Sequence, residues 1–325
     1  MRSLPAVAVD AAMNIFAKPL ATSLSLLSLL RFSGRHIDRL YLQFEPCGSS
    51  FDRASPYEPA EYLRETLGDR VMIVQPDYWL GRNAPERKKL DDAGCRLGIR
   101  YEYAFERTDK KYLFILHNDV LIKADIIGVL LDTIGGCFAA GSIGQCWNCP
   151  AADAETARAA GFPAPCTPDS YRDFRPDFAG LEALYDAALK TGRFVRPYRQ
   201  GWERHYRDCA WPLPECRVNE WGCLVDVEQT RPLVIPEGDI LPFGAFEQCG
   251  AILLDTATSW FRDLNRHGLR ARNVDLDPYL THWVGTGKKS AYSYTRAEAN
   301  AGHLLKKGFP DFVAWCEARK NRMFD

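Results

Sequence analysis

An α/β fold with a doubly wound, mostly parallel sheet is predicted, and three observations predict it. Short apolar runs alternate with helical patterns from about residue 5 to residue 140, the pattern of β-α units. The run Tyr112-Leu-Phe-Ile-Leu116 is apolar throughout, as a central strand covered on both faces must be. The 325 residues suffice for one large domain or two modest ones, and a chain of this size folds without covalent staples.

The elements follow in order. Val7 to Val9 reads as a short strand broken by Asp10 to Asn14. Pro19 to Phe32 suits a buried helix that Gly34 ends. Arg39 to Glu45 alternates and is β-rich, so it reads as a second strand, closed by Pro46 and Gly48. Glu58 to Leu67 is helix-like, and Val71 to Val74 is a third strand stopped by Gln75-Pro76. Lys88 to Thr108 carries a helical pattern, Tyr112 to Leu116 is the fourth strand, and Asp125 to Ile134 is a helix. Residues 146–242 are rich in Pro, Cys, Trp and Arg with little periodicity, apart from a helix at Gly180 to Thr191. Gly250 to Asp255 reads as a strand, followed by a helix through His267-Gly268. Open α/β sheets bind ligands beyond the carboxyl ends of their strands. One crevice is therefore expected among Asp10 to Asn14, Glu45, Gln75 to Asp77 and His117 to Asp119.

Composition narrows the function. Forty-one basic against 42 acidic side chains give a net charge of −1, so no bulk positive field attracts nucleic acid or anionic membrane. The most apolar early stretch, Leu24 to Leu30, is far short of the roughly 20 residues of a membrane span. Met1 to Val9 lacks the long apolar core of a secretion signal, so a cytoplasmic chain with no transmembrane segment is expected. Eleven cysteines is a high and odd count, and in a reducing compartment it does not read as a disulfide framework. Two readings stay open for them: Cys146, Cys149, Cys209 and Cys216 grip a structural Zn²⁺, or the thiols pack as small hydrophobes.

The chemistry concentrates in His117-Asn118-Asp119, where a buried strand ends in polar residues. A carboxylate there is costly without a partner. It either binds a hard divalent cation or caps the next turn. His282, in Thr281-His-Trp-Val-Gly285, is a second metal-ligand candidate, since imidazole completes a Mn²⁺ or Mg²⁺ site and suits Mn²⁺ better. Gly285-Thr-Gly-Lys288-Lys289 reads as a loop closing over diphosphate, although its glycine spacing is not that of a Walker motif.

Four stretches together resemble the GT-A (Rossmann-like) glycosyltransferases, broadly family 2. Ala8-Val-Asp-Ala-Ala-Met-Asn14 with Leu20-x-x-Ser23-Leu24-x-x-Leu27 is similar to the opening strand, turn and helix of that family. Leu40 to Glu45 resembles its second strand, whose terminal acid contacts base or ribose. Arg96-Leu-Gly-Ile99 with Lys111 to Asp119 resembles the stretch ending in D-x-D, and Gly250-Ala-Ile-Leu-Leu with Trp260-Phe261 and His282 resembles the acceptor strand and a late metal histidine. His117 departs from the first acid of D-x-D, and no Glu-Asp pair opens the helix after the acceptor strand.

The resemblance implies a nucleotide-sugar-binding half at 1–145, a Cys-rich insert at 146–242 for zinc and acceptor recognition, and an acceptor-side half with a C-terminal helix at 243–325. It implies a metal-dependent, inverting, hexosyltransferase-like enzyme of bacterial-type glycan or polysaccharide assembly. The donor is a nucleotide-diphosphate sugar and the acceptor a glycan or other hydroxyl. Nucleotide contacts are expected at Ala11, Asn14, Glu45, Arg96, His117 and Asn118, and Mn²⁺ or Mg²⁺ at Asp119 and His282. Inverting transfer needs a carboxylate to take the acceptor's proton, and Glu247, Asp275, Asp277 and Glu220 are the candidates. Trp211 and Trp221 are placed to stack on sugars, with Arg217, Asn219 and Glu220 binding hydroxyls. Two rivals compete. A sugar-phosphate nucleotidyltransferase is disfavoured because Asp10 to Asn14 holds no glycine. A catalytically inactive, zinc-stabilised carbohydrate-binding or scaffold protein is favoured by His117.

Overall fold

A computed structural model describes residues 9–45, 58–78, 80–81, 83–144, 149–167, 170, 174, 176–191, 217–249, 252–282 and 294–319. Its strands are β1 (Val9–Ile15), β2 (Ile37–Phe44), β3 (Val71–Val74), β4 (Tyr112–His117), β5 (Val120–Ile122), β6 (Ala139–Ile143), β7 (Val218–Asp226), β8 (Glu247–Cys249), β9 (Ile252–Leu254), β10 (Ala271–Asn273) and β11 (Leu280–His282). The helices are α1 (Pro19–Ser33), α2 (Glu58–Leu67), α3 (Ala93–Arg96), α4 (Glu102–Arg107), α5 (Ile126–Ile134), α6 (Ala154–Ala159), α7 (Phe178–Lys190), α8 (Val227–Thr230), α9 (Thr258–Arg266), α10 (Tyr294–Gly308) and α11 (Pro310–Ala318). None of the described helices is long and apolar enough to cross a membrane.

Seven strands form one sheet in the order β10-β6-β7-β4-β1-β2-β3. The pairs β1–β2, β1–β4, β2–β3 and β10–β6 are parallel, and β7 runs antiparallel to both β4 and β6. The expected mostly parallel α/β sheet is therefore present, with β4 at its centre. Its alternation explains its burial. Phe114 and Leu116 of β4 join Ala11 and Met13 in a cluster with Leu26 and Leu29 of α1 and Ile127 and Leu130 of α5. Leu113 and Ile115 point the other way, into a cluster with Phe138, Phe243, Trp260 and Phe261. Strands with apolar groups on both faces read as continuous apolar runs. A third cluster packs Ala21 and Leu24 of α1 against Ala297, Ala301 and Leu305 of α10 and Phe312 of α11.

Four local expectations are corrected. Asp10 to Asn14 continue β1 instead of breaking it. Asp10 sits at the start of that strand, where its carboxylate accepts from the Arg39 amide at 3.0 Å and Thr108 Oγ1 at 2.7 Å. The helical pattern of Lys88 to Thr108 is broken, with only α3 and α4 as α-helix. Tyr101 takes a left-handed φ of 65° and turns the chain between them. Residues 218–226, in the stretch read as irregular, form a full strand of the main sheet. The strand expected at Gly250 to Asp255 is half of a separate hairpin, β8–β9.

Glu102 opens α4 and is fully buried, and neither carboxylate oxygen has a hydrogen-bond partner among the described residues. Burial pushes this carboxyl well above its ordinary 4.5, Glu106 adds to the rise, and Arg96 and Arg231 oppose it. The folded chain keeps a proton that the unfolded chain releases, so the group's contribution to stability falls as pH rises from about 4.5 toward the raised value. Glu102→Gln is expected to flatten this fall. Urea unfolding at pH 5 and pH 8 measures it, with about 1.4 kcal/mol per pH unit as the ceiling for one group. Equal slopes in variant and wild type would show that Glu102 ionises normally in the fold.

Candidate active site

Strand register brings the polar ends together. Asn14 of β1 lies opposite both His117 of β4 and Gln43 of β2, so three strands finish level. Because β7 is antiparallel, with Gly222 opposite Leu116, its first residues reach the same edge. Arg217, Asn219, Glu220 and Trp221 thus arrive beside His117. The Glu220 carboxylate is 3.8 Å from His117 Nε2 and 3.1 Å from Arg217 Nη2.

A short ladder places His282. β11 pairs antiparallel with β5, with His282 opposite Val120, the residue after Asp119. Trp221 stacks on the His282 ring at 4.0 Å and 23°, so its face is covered by imidazole. Ligand atoms of His117, Asp119 and His282 all lie within 4.8 Å of one another, a group able to hold a metal ion. The donor set tests which ion fits. Two imidazoles and one carboxylate suit a first-row transition ion, with Mn²⁺ at the hard end, better than Mg²⁺, which prefers oxygen. Burial lowers the His117 pKa to about 3, so the ring is neutral and able to ligate at pH 7. Burial would raise the Asp119 carboxyl, but the His282 ring 3.3 Å away and the Lys18 charge outweigh it and hold it well below the carboxylate range.

The carboxylate's segment is anchored by α1. The Val120 and Ile122 amides donate to Ser25 Oγ at 2.9 Å and Ser28 Oγ at 3.1 Å. The Asn118 amide donates to Phe16 O, Ala17 O and Thr22 Oγ1 at 3.0 to 3.2 Å. Asn118, expected at the nucleotide, thus spends its side chain holding the β1–α1 loop. That loop is strained: Ala17 and Lys18 both take left-handed φ, 53° and 57°. It carries Lys18 Nζ to 2.8 Å from Asp119 Oδ2.

Glu45, just past β2, accepts from Asn14 Nδ2 at 2.6 Å and Arg100 Nε at 2.8 Å. A small open cleft adjoins it, lined by Leu80, Ile99, Arg100, Gly244 and Phe246 among others. A methyl group at Gly244 would collide with the Arg100 carbonyl, so glycine is required for this approach.

No protein-family model matches the chain, and no curated protein sequence matches it. Among solved structures it is similar to the mannosyltransferase PcManGT from Pyrobaculum calidifontis in complex with GDP-Man and Mn²⁺. The identity is 11%, over 94% of this chain and 64% of that one, with a TM-score of 0.44. It is also similar to the apo structure of the bifunctional glycosyltransferase WbbM, at 11% identity over 71% of this chain and 33% of that one, with a TM-score of 0.34. This chain spans less than two thirds of the length of either protein. Likenesses this distant assign neither family nor activity.

Other residues singled out in the sequence lie elsewhere. Ala11 is enclosed in the core under α1. Arg96 is buried on Glu106 at 2.6 Å and on the Leu90 carbonyl, and it is Arg100 that reaches Glu45. The helix α3 ends at Arg96, so Arg100 lies beyond it instead of one turn above Arg96 on the same face. Glu247 is held by Arg262 Nη1 and Ser259 Oγ, each at 2.7 Å. Asp275 and Asp277 flank the buried Leu276. Both are exposed on a turn where Asp275 accepts from the Asp277 amide at 3.0 Å. Of the cysteines considered for zinc, Cys149 is buried in the core, and Cys146, Cys209 and Cys216 lie outside the described residues. Trp211 and the 285–289 loop also lie outside them.

Three charged groups at the edge were missed. Lys18 gave no signal, because its left-handed backbone is not marked by glycine. Arg100 was hidden by the helical pattern. Asp255 follows β9, with its side chain 38% exposed and 3.5 Å from Arg217 Nη2. A carboxylate directly after the strand expected at Gly250 to Asp255 was the signal available for it.

Proposed function

We propose that the protein is a metal-dependent glycosyltransferase of GT-A, family 2-like type, moving a sugar from a nucleotide-diphosphate donor to a hydroxyl acceptor in glycan assembly. The observation that carries this reading is the convergence of His117, Asp119 and His282 at the carboxyl edge of a parallel sheet, where open α/β sheets take their ligands. His117, Asp119 and His282 would hold the cation, which when bound neutralises a diphosphate leaving group. Glu45 and Arg100 border the cleft and, with Asn14 bonded to Glu45, take the nucleoside. Asp255 takes the acceptor's proton. It is preferred to Glu220, which is buried on Arg217, because an acceptor must enter from solvent. Rate comes from positioning and from stabilising the leaving charge.

A thermal-shift panel of nucleoside diphosphates with Mn²⁺, Mg²⁺ or chelator tests this. One nucleotide is expected to raise the unfolding temperature by a few degrees with Mn²⁺, the effect of about 2.7 kcal/mol at a hundredfold excess over Kd. Asp119→Ala should abolish the shift. No shift with any nucleotide would end the transferase reading in favour of a carbohydrate-binding or scaffold protein.

A further inference from the structure

Lys18 and Asp119 form an ion pair at the centre of the proposed metal site. The ammonium lies 2.8 Å from Oδ2, and the carboxylate is 3% exposed. The other oxygen, Oδ1, faces His282 Nε2 at 3.3 Å. Oδ2 is therefore taken by this chain's own ammonium, while Oδ1 makes no hydrogen bond among the described residues. The next carboxylate, Glu220, is paired with Arg217. The ammonium is not delivered by an easy backbone. It sits on the second of two consecutive left-handed residues, neither of them glycine, and Asn118, the neighbour of Asp119, clamps the two carbonyls before it. The loop is thus built around Asp119 from both sides. Phosphate at the start of α1 is not the reason for it. The Leu20 and Ala21 amides there already donate to the Glu298 carboxylate of α10, at 3.0 and 2.9 Å.

We propose that Lys18 is a built-in competitor for the divalent ion, holding Asp119 in the ion's place until a diphosphate arrives. The inference rests on the metal centre proposed above. A cation entering the site meets a carboxylate whose charge is already cancelled, and an ammonium of the same sign a few ångströms away. Alone, the ion binds weakly. A diphosphate brings the negative charge that the site lacks and gives the Lys18 ammonium another anion to face, so ion and nucleotide load together. Lys18 thereby makes the site selective for a metal–nucleotide pair over the free metal.

Calorimetric titration of the full chain with Mn²⁺, without nucleotide, tests this. Lys18→Met and Lys18→Gln are expected to bind Mn²⁺ at least about tenfold more tightly than wild type, a difference of 1.4 kcal/mol. Asp119→Asn added to either variant should abolish the binding. Two substitutions, each checked by its urea unfolding midpoint, guard against a misfolded protein. Equal or weaker Mn²⁺ affinity in the two variants, with measurable binding to wild type, would overturn the role of Lys18 and leave the metal centre standing. No Mn²⁺ binding by any form, with or without nucleoside diphosphates, would overturn both.

Discussion

Asp255→Asn is expected to lose about 10²- to 10⁴-fold in sugar transfer, the range for removing a general base, while binding nucleotide with Mn²⁺ as wild type does. The geometry separates the two effects. Asp255 stands at the end of β9, partly open to solvent, and its described contact is with Arg217 rather than with the histidines. Its own amide neighbours hold it in place, since Oδ1 accepts from the Thr256 amide at 2.9 Å. Asparagine keeps that contact and removes the basic oxygen. Initial rates and nucleotide thermal shifts on the same preparations check this. A loss in both together would place Asp255 in nucleotide binding, and unchanged rates would exclude it as the proton acceptor.

Arg262→Met is expected to destabilise the fold by about 3–5 kcal/mol, the scale of breaking a buried ion pair from one side. Arg262 of α9 has a side chain only 3% exposed, between Glu247 on one side and Asp263 on the other. The Asp263 contact is two-pronged, at 2.7 and 2.8 Å. Methionine fills the volume but leaves two largely buried carboxylates without their guanidinium. The same geometry argues that Glu247, a proton-acceptor candidate in the sequence, instead ties the β8–β9 hairpin to α9. Urea unfolding measures the effect. A loss below about 1 kcal/mol would mean that water reaches both carboxylates.

What was legible in the sequence followed how local the cause was. Glu58–Leu67 and Val71–Val74 coincide with their patterns because each element answers to its own periodicity. β7 was opaque because its two halves do different work. Asn219, Glu220 and Trp221 lie in the half of the strand near His117 and are polar or amphipathic, whereas Cys223, Leu224 and Val225 cross the core, so no single period runs through the strand. His117 and Asp119 stood out because a polar group ending an apolar run is conspicuous. Their neighbour Asn118 drew attention for the same reason, although its amide serves the loop. Lys18 and Arg100 depend on pairings 101 and 55 residues apart in sequence, and such pairings leave no local trace.

The hydroxyl row of α1 has a mechanical consequence. Ser25 and Ser28 bond the amides of β5, Ser33 bonds the Ile127 amide, and Thr22 receives Asn118. A helix here does the office of a neighbouring strand. Replacing these serines by alanine would favour the isolated helix and yet leave the Val120 and Ile122 amides without their hydroxyl acceptors, so local preference and the whole fold pull in opposite directions. At its other contact, α1 is gripped by Glu298 and packed on α10 and α11. The carboxyl-terminal helices, α1 and the segment bearing Asp119 thus form one linkage. The contacts that fix the position of Asp119 therefore run through α1 to the far end of the sequence.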